Sequence, residues 1–176
     1  MQDIIKITKN LKINKWNGLT REQSFQLEKD CLTILNNNFE CKCNVKCENH
    51  FPIIKEVIES EYKFILSNCG HDIKSYNKQN IEKIHINNIN EQIDCIVYNL
   101  EKNKIINFDL SKNGKNICVS KEGIISMIDF DMAVIDNNIL SAQLQKYYDK
   151  QNKNNIYYDN CRTKLMIITK DFSNNI

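Results

Sequence analysis

One stretch constrains this chain more than any other: Ile105-Ile-Asn107-Phe-Asp109-Leu-Ser-Lys-Asn-Gly-Lys-Asn116, followed by Ile117-Cys-Val-Ser-Lys-Glu-Gly-Ile-Ile-Ser-Met-Ile-Asp129-Phe130-Asp131. The largely apolar segments Ile117–Ser120 and Ile124–Ile128 flank the turn residues Lys121-Glu122-Gly123, a pattern that predicts a β-hairpin. The two strands of a hairpin run antiparallel, so their outer ends meet. Asn116 and Asp129 stand at those ends, and Asp109 lies on the loop that leads in. Two oxygen ligands for a divalent cation and a separate carboxylate are thereby brought within reach of one another. Phosphoryl transfer to a hydroxyl calls for that set: Mg²⁺ ligands and a carboxylate beside the incoming nucleophile.

The rest of the chain frames this segment. Residues 3–8 read as a short strand, followed by a polar loop to Gly18. Thr20 with Gln23 three residues later forms a capping box and opens a helix. Its apolar face is Phe25, Leu27, Cys31, Leu32 and Leu35, and the pattern breaks over 36–50. Glu28 lies on the same face. An ionised carboxylate on a buried face is costly unless paired, and Lys6 is the natural partner. Strands are expected at 53–58 and 62–67, then a Cys69-Gly70 turn. Ile89, Ile93, Val97 and Leu100 recur at helical spacing and predict a helix over 89–102. Later signals are sparser: a helix around 139–148 and an apolar run at Leu165–Ile168.

The chain has 176 residues, 41% hydrophobic and 26% charged, which suits a single folded domain with a sizeable core. A net charge of +2 gives no reason to expect nucleic acid or a membrane surface as partner. No run approaches a membrane span and no signal-peptide pattern opens the sequence, so an intracellular, cytoplasmic location is expected. Asn (27), Ile (28) and Lys (22) dominate the composition, a bias of AT-rich codons that dilutes loop and helix signals built on Asn or Lys. In that compartment the eight cysteines are expected as thiols or metal ligands. Cys41, Cys43, Cys47 and His50 supply four soft ligands within ten residues, a possible zinc set with tighter spacing than common zinc motifs. Reduced loop cysteines are the alternative. Cys31, Cys69, Cys95 and Cys118 sit in apolar patterns and are expected in the core.

Taken together, the 105–131 segment resembles the protein-kinase superfamily, whose catalytic loop reads H-R-D-L-x-x-x-N and whose metal motif reads D-F-G. The resemblance implies a truncated, two-lobed protein-kinase-like fold of the α+β class. Residues 1–66 would form a reduced small lobe, 67–69 the hinge and 70–176 a reduced large lobe. Asp109 is implied as catalytic base, with Asn116 and Asp129 as Mg²⁺ ligands. Lys6, in Ile4-Ile5-Lys6-Ile7, is similar to the V-A-I-K lysine and would hold ATP phosphates, with Glu28 orienting it. His50-Phe51-Pro52 looks like the entry to the next strand. Leu66 falls at the gatekeeper position, Ser67, Asn68 and Cys69 would offer backbone groups to adenine, and Asp72 would reach a ribose hydroxyl.

The departures are equally specific. Asn107 and Phe108 replace the motif His and Arg, and Asp131 replaces the motif Gly. The sequence carries no glycine-rich loop before Lys6 and no A-P-E motif, and the resemblance spans residues 3 to about 135. The resemblance implies an ATP- and Mg²⁺-dependent transferase acting on protein Ser/Thr, although Ile-Asp-Phe-Asp also occurs in kinases of small molecules. A catalytically weak or dead relative, binding nucleotide or scaffolding a partner protein, is the other reading. Residues 9–18 or a partner protein are the candidates to cover the phosphates.

Overall fold

A computed structural model describes residues 3–10, 12–45, 47, 49–79, 84–111, 113–151 and 156–173, which fold as a mixed α+β structure. The N-terminal layer is an antiparallel sheet of β1 (Ile4–Ile7), β3 (Lys63–Leu66) and β2 (Ile54–Ile58), in the order β1-β3-β2. Lys6 pairs with Phe64 in this register. Between β1 and β2 in sequence runs α1 (Arg21–Asn38), opened by the expected capping box: the Thr20 side chain accepts from Gln23 N, and the Gln23 side chain accepts from Thr20 N. Phe25 of α1 stacks on Phe64 of β3 at 4.5 Å between ring centroids, fixing the helix on the sheet.

The remainder is built from short strands and helices. β4 (His71–Asp72) leads directly into α2 (Ile73–Gln79), and α3 (Ile89–Lys102) packs against α5 (Tyr157–Ser173). β6 (Ile117–Val119) and β7 (Ile125–Met127) form the expected hairpin and join β4 in the order β4-β6-β7. β5 (Ile105–Asn107) pairs antiparallel with β8 (Ala133–Ile135), closing the ends of the 105–131 segment on each other. α4 (Ala142–Gln151) lies between β8 and α5. The buried apolar residues form one continuous cluster from Phe25 and Phe64 through Leu100 and Phe130 to Phe172. Among the described residues, no helix is long and apolar enough to cross a membrane.

Several expectations shift. α1 runs through Asn36–Asn38 instead of breaking at 36. Tertiary bonds hold the extra turn: the Asn36 side chain donates to Pro52 O and accepts from Ile54 N. The helix expected around 139–148 occupies 142–151, where Ser141 Oγ accepts from Leu144 N at 3.1 Å as an N-terminal cap. The strand expected at 62–67 starts at 63, because Tyr62 takes a left-handed conformation (φ 51°). The apolar run 165–168 is one stretch of the longer α5. Cys31, Cys95 and Cys118 are buried as expected, whereas Cys69 is half-buried on the wall of a cleft.

Candidate active site

The cleft lies where the first sheet and α1 meet the 105–131 segment. A cavity of about 360 Å³ is lined by Lys6, Glu28, Leu66, Ser67, Cys69, Asp72, Lys115, Asn116 and Asp129, among others. A second cavity, of about 310 Å³, is lined by Lys9, Asn14, Trp16, Asp109, Lys115, Asp129 and Asp131 among others. Lys115 and Asp129 belong to both walls, so the two cavities adjoin. Volumes of this size are those of small-molecule sites.

Lys6 is the meeting point of the three chain regions. Its Nζ stands 2.6 Å from Glu28 Oε1 and 2.8 Å from Asp129 Oδ1. Glu28 is 2% exposed, and Oε1 also accepts the N–H of Phe130 at 3.2 Å. The contact that the charge on the apolar helix face called for is therefore present, and the same carboxylate ties α1 to the residue after Asp129. Burial works to lower the Lys6 pKa, but Glu28 and Asp129 outweigh it and hold the ammonium above its ordinary range. Burial likewise works to raise Asp129, yet Lys6, with Lys115 and Lys9, keeps it below the usual carboxylate range.

Asn107 organises the loop that carries Asp109. Its Nδ2 donates to Asp129 O at 2.8 Å and its Oδ1 accepts from Asp109 N at 3.0 Å, so one buried side chain spaces the two acidic residues. Asn107 is itself locked by Tyr157, whose hydroxyl donates to Asn107 O and accepts from Asn107 N. Asn116 Nδ2 donates to Asp109 O at 2.8 Å, and Asn116 O accepts from Ile128 N at 3.0 Å. The loop and hairpin thus bring Asn116 against the Asp109 backbone, although seven positions separate the two in the chain.

Two residues not foreseen as site groups join them. Oxygens of Asp109, Asp129 and Asp131 all lie within 4.8 Å of one another. Burial, and then the neighbouring Asp129 charge, push the Asp131 carboxyl up to about 7. Lys115 Nζ stands 2.8 Å from Asp109 Oδ2. The alternation Asp129-x-Asp131 was visible in the sequence as a departure at the motif Gly, but only the β5–β8 pairing turns Asp131 into the cluster. Lys115 carried no sequence signal that set it apart from the many other lysines.

Oxygen donors of this kind suit a hard divalent cation such as Mg²⁺. Asp109, Asp129 and Asp131 could hold such an ion together, and Asn116 lines the adjoining cavity with Asp129.

Also lining the first cavity, Ser67 accepts from Ile53 N at Oγ and donates its own N–H to Ile53 O. Asn68 Oδ1 folds back to accept from Gly70 N at 2.8 Å. Asp72 faces the cavity, but its carboxylate accepts from Ser75 N and Ser75 Oγ at the start of α2. Elsewhere, in the loop between α1 and β2, Cys41, Cys43 and Cys47 lie together, and His50 meets Cys43 and Cys47.

No protein-family model matches this chain, and no curated protein matches it. Among solved structures, it is similar to a chain of the yeast RNA Pol II CTD kinase CTDK-1 complex, with 19% sequence identity and a TM-score of 0.47. The similarity covers 76% of this chain and 40% of that chain, so the chain spans less than half the length of this structural neighbour.

Proposed function

We propose that this chain is a protein-kinase-like phosphotransferase that binds ATP with Mg²⁺ in the cleft and moves the γ-phosphate to a hydroxyl, on protein Ser/Thr by resemblance. The observation that carries the reading is Lys6, which bridges Glu28 and Asp129 on the wall that also holds Asn116. The two-lobed division at residues 67–69 belongs to the same proposal.

In this reading the Lys6 ammonium binds phosphate oxygens, and Glu28 holds it in place from a buried position. Asp129 and Asn116 are the principal cation ligands, with Asp131 as a further oxygen donor. Mg²⁺, when bound, would neutralise the charge on the transferring phosphates. Asp109 accepts the proton of the incoming hydroxyl, and Lys115 beside it balances charge where the second cavity opens. Lys9, Asn14 and Trp16 line that cavity, which supports residues 9–18 as a partial substitute for a phosphate-covering loop. Ser67, Cys69 and Leu66 line the wall suited to adenine, while the bonds of Asp72 to Ser75 must loosen before it meets a ribose.

A second reading is a nucleotide-binding scaffold without turnover. Its support is that Lys6 is bonded to Asp129 itself and Lys115 to Asp109, so the ligand and the base are both already charge-paired. Thermal shift with ATP, with and without Mg²⁺, together with γ-phosphate transfer to a Ser/Thr peptide mixture, separates the two. The transferase reading expects Mg²⁺-dependent stabilisation and transfer. Stabilisation alone supports the scaffold, and neither effect with Mg²⁺ or Mn²⁺ removes the nucleotide-site reading.

A further inference from the structure

The cysteine-rich loop between α1 and β2 takes no part in that chemistry, yet its ligand atoms are gathered as closely as those of the cleft. Cys41 Sγ lies 3.5 Å from Cys43 Sγ and 3.2 Å from Cys47 Sγ, and Cys43 Sγ lies 3.3 Å from Cys47 Sγ. His50 Nε2 lies 3.3 Å from Cys43 Sγ and 3.4 Å from Cys47 Sγ. These separations form two triangles that share the Cys43–Cys47 edge. Metal–sulfur arms of about 2.3 Å give a tetrahedral edge of about 3.8 Å, so all five spacings are close to those of a zinc site, and bringing Cys41 and His50 to the same spacing completes the set. All three cysteines are free thiols. A thiol is a weak hydrogen-bond donor and acceptor, and three of them gain little from such a knot without something between them.

The histidine is prepared for the same role. His50 is fully buried, and its Nδ1 faces Ile125 O at 2.6 Å. A carbonyl accepts only, so Nδ1 carries the proton and the Nε2 lone pair points at the sulfurs. Backing of a ring nitrogen by a carbonyl is how proteins orient metal-binding histidines. Behind the loop, Cys95 Sγ of α3 also lies within 4.8 Å of the Cys43 and His50 ligand atoms. It accepts from Lys42 N at 3.2 Å, however, and from its place on the helix supports the loop backbone, whereas Cys41 Sγ stands 3.5 Å or less from both other loop sulfurs.

The geometry points to a structural zinc site formed by Cys41, Cys43, Cys47 and His50. Three sulfurs and one imidazole, without a carboxylate, select a borderline-soft tetrahedral ion over Mg²⁺ or Ca²⁺. Four protein ligands leave no open position, so the ion holds structure and performs no chemistry. What it holds is specific. His50 Nδ1 bonds Ile125 O, and His50 O accepts from Met127 N at 2.9 Å, so the histidine clasps β7 from both ends. β7 runs through Ile128 into Asp129. Zinc would therefore fasten the segment that enters β2 to the strand that delivers the acidic residue of the cleft.

Elemental analysis of the full chain, purified without chelator, is expected to find one zinc per chain. Co²⁺ added to the stripped protein should give thiolate-to-cobalt charge-transfer absorption and the intense visible bands of a tetrahedral site. Cys43→Ser and His50→Ala should lose the metal, and Cys95→Ser should keep it. Zinc-free protein with all thiols reduced that takes up no Co²⁺, or an octahedral Co²⁺ spectrum, would overturn the site. Retention of zinc by Cys43→Ser, or its loss from Cys95→Ser, would overturn the ligand set. Should a variant precipitate, the Co²⁺ spectrum of the unaltered chain still decides. None of these readouts involves nucleotide, so the result is independent of the proposed transferase activity.

Discussion

Lys6 Nζ stands 2.8 Å from Asp129 Oδ1 although the two residues are 123 positions apart in the chain. The contact joins the edge strand of the first sheet to the end of the hairpin, and Glu28 holds the ammonium from the other side at 2.6 Å.

Neutralising Glu28 should weaken both fold and function, but unequally. Glu28→Gln keeps an acceptor for Phe130 N and removes the charge that orients Lys6. Loss of a charge-assisted hydrogen bond costs about 1.5–3 kcal/mol. Urea unfolding should show a lower midpoint with an unchanged slope. Phosphoryl transfer, measured at a temperature where the variant remains folded, should fall further than that loss implies.

Asp109 and Asp129 should separate into different defects. Asp129→Asn removes a charged partner of Lys6 and, on the proposed transferase reading, of the cation, and should weaken Mg²⁺-dependent ATP affinity by about 10–100-fold. Asp109→Asn should leave affinity near that of the parent and lower transfer by about 10²-fold or more, the contribution of a positioned base. Isothermal titration and a single-turnover assay read the two effects independently. Equal loss of affinity in both variants would contradict the assigned division of labour.

Asp131 should make the metal-free protein less stable as pH rises. Its folded carboxyl titrates near 7, against an ordinary value of 3.8. Between those values the folded state keeps a proton that the unfolded chain has released, so stability declines with rising pH. The penalty is fully present above pH 7 and absent below about 4. Asp131→Asn removes it, and should gain roughly 2–4 kcal/mol over the parent at pH 8 while converging with it at pH 4. Paired denaturant curves at the two pH values check both the sign and the window.

Gly70 should tolerate no side chain. Its φ is +94°, and a Cβ there would stand 2.0 Å from the backbone oxygen of Val119, which cannot swing aside. Gly70→Ala should cost about 2–3 kcal/mol and disturb the cleft wall it helps to line. Gly18→Ala is the control: its φ is +71°, but the added atom meets the far end of the Gln143 side chain, which can move. Thermal melts should place Gly18→Ala closer to the parent. The reverse order would mean that β4 and β6 are less rigidly joined than their pairing implies.

What the sequence determined by itself was local. Thr20 and Gln23 specified the start of α1, the 3.6-residue recurrence specified α3 over 89–102, and the turn at 121–123 specified the hairpin. Glu28 declared its need of a partner because one ionised group on an apolar face is an energetic anomaly readable from spacing alone. Each of these signals acts over a few residues, within the reach of one helical turn or one strand pair. The tertiary structure alone decided the rest. β5 and β8 are three residues each and nearly thirty positions apart, too short for a periodic signal, and their pairing brings Asp131 to Asp109 and Asp129. Lys115 became a site residue because the loop before the hairpin turns it toward Asp109. Asn107 acquired its bridging role only when Tyr157, fifty residues later, fixed its backbone. Electrostatic partnership depends on distance in space, and in a chain with so many lysines and asparagines composition cannot say which of them the fold will bring within 3 Å of an acid.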